Sequence, residues 1–144
     1  MELISTIDMG ETNSSEHRDC TVRALANASM MEYSDAHALL KRHGRKNRIG
    51  ATARMFVNAY AEAGFGKMTV FGTTKLAKHL DFNFESRISS VEKGITLKNF
   101  CKKYNKGRYI VVYSGHALAV VNGQIIDTFD SLANKRIAIA FSQS

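Results

Sequence analysis

The chain has 144 residues, 44% of them hydrophobic and 23% charged, which is the make-up of an ordinary globular protein long enough for one domain over residues 1–144. No apolar run reaches the length of a membrane span, and Met1 to Ser5 has neither the basic nor the long apolar region of a secretory signal, so a cytoplasmic protein is expected. The net charge is +7 and unevenly placed: residues 1–19 hold five acids and one base, which leaves +11 on the remainder.

Leu3 to Ile7 reads as a short strand and residues 11–19 as a loop. Asp19 is the expected N-cap of a first helix, Cys20 to Met31, with Val22, Leu25 and Ala26 on one face. Ser34 is read as the cap of a second helix, with Ala36, Leu39 and Leu40 inward and Gly44 as its stop. Thr52 opens a third, whose face is Met55, Phe56, Ala59 and Tyr60 and which Gly64 ends. Lys67 to Phe71 makes a strand. A brief helix from Thr73 or Thr74 to Leu80, an edge strand at Asp81 to Phe84 and a loop at Ser89 to Gly94 are expected next. Thr96 caps a helix with Leu97, Phe100, Cys101 and Tyr104 inward, which makes Cys101 a packing residue.

From Tyr109 the period changes to that of strands. Tyr109 to Tyr113, His116 to Val121, Gln124 to Thr128 and Lys135 to Phe141 form the runs, with a break at Ser114-Gly115 and a turn at Asp130 to Asn134. Asn122-Gly123 is a strong hairpin signal, because both residues tolerate the positive φ of a type I′ turn. Helices followed by strands predict an α+β fold, with N-terminal helices packed on a C-terminal antiparallel sheet.

Cys20 stands at the first helical position, where unpaired N–H groups and the helix dipole favour a thiolate. The adjacent Asp19 anion is expected to work against that. A two-residue turn pairs Val121 with Gln124, Val120 with Ile125, Leu118 with Asp127 and His116 with Phe129. His116 and Asp127 are then diagonal neighbours on an apolar face, roughly 6–8 Å apart at the backbone. An imidazole oriented by a carboxylate is the base that a nucleophilic thiol needs.

A Cys opening a helix (Asp19-Cys20), then Gly115-His116-Ala117-Leu118-Ala119-Val120, then Ile126-Asp127, resembles the papain-like cysteine peptidase superfamily. The likeness is to its small bacterial and phage members with Cys-His-Asp order, such as bacteriocin-processing peptidases. The resemblance implies a papain-like fold and thiol-dependent hydrolysis of a peptide, isopeptide or related amide bond. It also suggests a phage or mobile-element protein acting on a host factor in the host cytosol. By the same resemblance Cys20 is the nucleophile, His116 the base and Asp127 the orienting carboxylate. The family's oxyanion hole uses the Cys N–H and an upstream side chain, commonly Gln. No Gln precedes Cys20, so Asn13 is the nearest amide, with Ser14, Ser15 and His17 as further donors.

His17 is a rival base in principle, whereas His37, His43 and His79 read as ordinary solvated or packing residues. The two cysteines share no ligand spacing with any His, so neither a metal nor another cofactor is expected. The expected partner is a protein or peptide substrate, with no membrane. Two basic runs, Lys41, Arg42, Arg45, Lys46, Arg48 and Arg54, and Lys98, Lys102, Lys103, Lys106 and Arg108, read first as a solvated face. They leave room for an alternative, a non-catalytic module that binds a host protein or nucleic acid.

Overall fold

The computed structural model describes residues 3–4 (backbone only), 19–46, 53–72, 87–113, 116–126 and 135–143. Its elements are β1 (Leu3–Ile4), α1 (Cys20–Ser29), α2 (Tyr33–Arg42), α3 (Ala53–Glu62), β2 (Lys67–Phe71), β3 (Ile88–Glu92), α4 (Leu97–Lys103), β4 (Arg108–Tyr113), β5 (His116–Val121), β6 (Gln124–Ile126) and β7 (Ile139–Ser142). The strands form one sheet in the order β1-β6-β5-β4-β7-β2-β3. The fold is α+β, but the sheet is mixed rather than antiparallel. β1 runs parallel to β6 and β2 parallel to β3, and β1 and β3 form the two edges.

Alternation along the strands supplies both faces of the sheet with apolar side chains. Ala117 and Ala119 of β5, Ile110 and Val112 of β4, and Ile139 and Phe141 of β7 lie against α1, α2 and α3. The small residues of β5 let α1 approach, and α1 is itself alanine-rich, with Ala24, Ala26 and Ala28 buried. Tyr60 and Phe56 of α3 meet Phe141 edge-on, with ring centroids 5.1 and 6.1 Å apart. The other face carries Val111, Leu118, Val120 and Ile125 under Leu97, Phe100 and Cys101 of α4. Cys101 is thus buried on the face away from α1.

The hairpin forms as its turn chemistry dictates. Asn122 and Gly123 have φ of 51° and 78°, Val121 pairs with Gln124, and Val120 with Ile125. The turn docks on the segment after α4: the Asn122 N–H donates to the Gly107 carbonyl at 2.8 Å, and the Gly107 N–H donates to Asn122 Oδ1 at 3.0 Å.

Several expectations change. Residues 88–92 form β3 rather than the start of a loop, an edge strand whose exposed Ser89, Ser90 and Val91 hide the usual apolar alternation. The last strand starts at Ile139, because the preceding residues pair elsewhere: Arg136 bridges Thr96, and the Leu97 N–H donates to the Lys135 carbonyl. α1 ends at Ser29, whose hydroxyl donates to the Leu25 carbonyl and accepts from the Met31 N–H. Met30 then turns out of the helix with φ 61°. α2 starts one residue before Ser34, after Glu32. Thr96 caps α4 as expected, accepting from the Asn99 N–H at 3.3 Å. Thr52, Thr73 to Leu80, Asp81 to Phe84, Ser114-Gly115, Thr128 and Asp130 to Asn134 lie outside the described residues, as does the remainder of the strand expected up to Ile7.

Candidate active site

α1 brings its N-terminal residue to the start of β5. The first helical bond is donated by the Arg23 N–H to the Asp19 carbonyl, so the N–H groups before Arg23 have no partner within the helix. Cys20 is half-buried at that end. Its sulfur accepts hydrogen bonds from the His116 side chain and from the Ala117 backbone N–H. The first two residues of β5 therefore both donate to the thiol.

Burial pushes the Cys20 thiol up. The His116 hydrogen bond, the Ala117 N–H, the positive charge on His116 and the charge on Arg23 outweigh it, and the net shift is below the ordinary thiol value. Cys101 shows the opposite result, with burial pushing its thiol up. The surroundings thus push the two thiols in opposite directions, and Cys20 is the more readily ionised of the pair.

The meeting of Cys20 and His116 takes place at the end of β5, not across the apolar face expected for His116. Leu118, Val120 and Ile125 do share a face, but that face is covered by α4, while α1 lies on Ala117 and Ala119. His116 is the first residue of the strand, paired with Tyr113, whose ring centroid is 5.5 Å from the imidazole. Asp127, Asn13, Ser14, Ser15, His17 and His79 lie outside the described residues.

Asp19 caps α1 by position only. Its carboxylate makes no cap hydrogen bond to the first turn, contrary to expectation. It is buried, and Oδ2 accepts from the Tyr33 hydroxyl at 2.8 Å while Oδ1 lies 3.0 Å from Arg23 Nε. The Arg23 contact is an ion pair rather than a hydrogen bond, since the Nε–H is not directed along it. The Arg23 charge lowers the Cys20 thiol, while the Asp19 carboxylate is directed to Tyr33 and Arg23.

Tyr60 completes the surroundings from α3. Its buried hydroxyl donates to the Thr21 carbonyl at 2.9 Å, one residue beyond the thiol. Burial, and after it the charge on Cys20, push the phenol well above its usual range, so it remains a neutral donor. Of these neighbours, the Asp19–Arg23 pair carries a sequence signal in its i, i+4 spacing. Tyr33 and Tyr60 carry none, because both read as core aromatics.

The chain has no significant match among protein-family models, curated proteins or solved structures.

Two other histidines, His37 and His43, lie among the described residues. His37 packs against the Tyr33 ring at 5.8 Å, and His43 Nε2 lies 3.7 Å from Glu62. Among the described residues, no group of three His, Cys, Asp or Glu side chains could hold a metal ion, and no helix is long and apolar enough to cross a membrane.

Proposed function

We propose that the chain is a thiol-dependent hydrolase of the papain-like kind, cleaving a peptide, isopeptide or related amide bond. One observation carries the reading: a thiol at the first position of a helix, lowered in pKa, hydrogen-bonded to an imidazole from a strand 96 positions on in the chain. Buried inert thiols have no such partner, and perturbed pairs of this type cluster at functional sites.

In the proposed reaction His116 takes the Cys20 proton, and the thiolate attacks the substrate carbonyl carbon. The C=O π electrons move onto oxygen, where the Cys20 N–H, unpaired within the helix, donates to the oxyanion. Asn13 is the proposed second donor. The oxyanion collapses, the C–N bond breaks, and His116 gives its proton to the leaving amine. Neutral His116 then takes a proton from water, hydroxide adds to the thioester, and the thiolate leaves as the acid product forms. Asp127, next in the chain after β6, is the proposed carboxylate that orients the imidazole. The substrate is a protein or peptide, and phage origin with a host target belongs to this same proposal.

The test is digestion of a mixed protein substrate, with new N-termini labelled and sequenced. Wild type should generate a defined set, which C20A loses by about 10⁴-fold or more in rate and D127N by about 10²–10⁴-fold. Identical sets from wild type and C20A would overturn the reading.

A further inference from the structure

The turn of α1 that carries Cys20 also carries a fixed cation. Residues three apart on a helix are neighbours, which puts Arg23 beside Cys20 on the same flank. Arg23 is not a free surface arginine: its side chain is only 13% exposed and its Nε is 3.0 Å from Asp19 Oδ1. Asp19 is in turn fixed by the Tyr33 hydroxyl at 2.8 Å, a contact that crosses from α2. Holding a long side chain costs rotamer entropy, so an arginine kept in place by a buried carboxylate and a tyrosine is pre-organised for whatever lies next to it. Cys20 opens the same helical turn, and the Arg23 charge favours its anionic form. Among the described residues, the ionisable groups around that sulfur are His116 from β5, Tyr60 from α3 and, on its own helix, Arg23 with Asp19 behind it.

We propose that Arg23 is a second stabiliser of the anionic Cys20 sulfur, acting independently of His116, and that Asp19 and Tyr33 are positioning residues that hold it there. This rests on the reading of Cys20 as the nucleophile and adds a component that the three-residue arrangement lacks. His116 is charged only while it carries the shuttled proton. A guanidinium stays charged throughout, so it supports the thiolate both before attack and as it leaves the thioester. The coupling is electrostatic, and no bond to Arg23 forms or breaks.

The experiment is the pH profile of Cys20 alkylation by iodoacetamide, with the Cys20 adduct quantified by peptide mass spectrometry in the full chain. The variants are R23Q, R23K, H116A and the R23Q/H116A pair. Expected is an upward shift of the midpoint in R23Q, smaller than that in H116A, with R23K keeping most of the wild-type position. H116A should retain part of the downward shift, and R23Q/H116A should lose it. A merely structural role for Arg23 would change thermal stability without moving the midpoint. An unmoved midpoint in R23Q, with H116A raising it, overturns the Arg23 proposal and leaves the Cys20–His116 reading standing. A midpoint that responds to R23Q but not to H116A does the reverse. Should R23Q not fold, D19N/R23Q compared with D19N isolates the same charge without leaving a buried carboxylate unpaired.

Discussion

At Cys20, desolvation works against ionisation and is overcome by the His116 imidazole, through hydrogen bond and charge, the Ala117 N–H and the Arg23 charge. At Cys101 nothing comparable opposes burial. The two thiols therefore contribute to stability with opposite pH dependence. The Cys20 value is lower folded than unfolded, so its contribution is present above the unfolded value of about 8.5 and is lost as pH falls through the folded value. The Cys101 value is higher folded than unfolded, so its contribution is present below about 8.5 and is lost as pH rises through the folded value. Denaturant unfolding below and above about pH 8.5, comparing wild type with C20S and with C101A, should give difference slopes of opposite sign. Equal slopes would contradict the assignment. Asp19 teaches a related lesson. A cap position was legible in the sequence, but the carboxylate serves Tyr33 and Arg23, because burial demands charge and hydrogen-bond partners that an exposed cap does not need.

Among the elements, α1 and the β5–β6 hairpin carry the site, and each is fixed by its ends. Met30 closes α1 in the left-handed region at φ 61°, exposed and at a conformation that costs a side-chain-bearing residue roughly 1–2 kcal/mol. M30G should raise stability by about 1 kcal/mol, read as an increase in Tm of a few degrees. A decrease would mean that the contact from Arg108 to the Met30 sulfur outweighs the backbone strain. Gly123 is the converse case. A Cβ there would lie 2.9 Å from the Cys101 carbonyl oxygen, which is backbone and cannot easily move, and φ is +78°. G123A should cost about 1–3 kcal/mol by undocking the hairpin from α4, measured by chemical denaturation. A neutral G123A would contradict the docking. The hairpin register was legible because the turn type is a local property of two residues. β3 was not, since an edge strand with an outward Ser-Ser-Val run has no period of its own.

For the whole molecule, the layers were readable and their connection was not. Amphipathic periods announce which segments are helix or strand, but parallel pairing of β1 with β6 and of β2 with β3 depends on neighbours distant in the chain. Charge was the least legible property. Arg45 belongs to a basic run in the sequence but is 2% exposed, Arg42 pairs with Glu62, and Lys103 lies 3.9 Å from Glu92. The basic surface is thus smaller than the sequence count, though Lys98, Lys102 and Lys106 stay exposed on and just beyond α4, on the sheet face opposite Cys20. The candidate site was legible only in part. Cys20 and His116 were found from helix position and strand pattern, whereas the Arg23, Tyr33 and Tyr60 contacts arise only once α2 and α3 pack around the thiol.

The central claim is that Cys20 is a nucleophile activated by His116. Its most direct test is the rate of Cys20 alkylation across about pH 4 to about pH 10 in wild type and H116A. Wild type should reach half its maximal rate below the ordinary thiol range, and H116A should move that midpoint up. Superimposed curves, both centred near about 8.5, would contradict it.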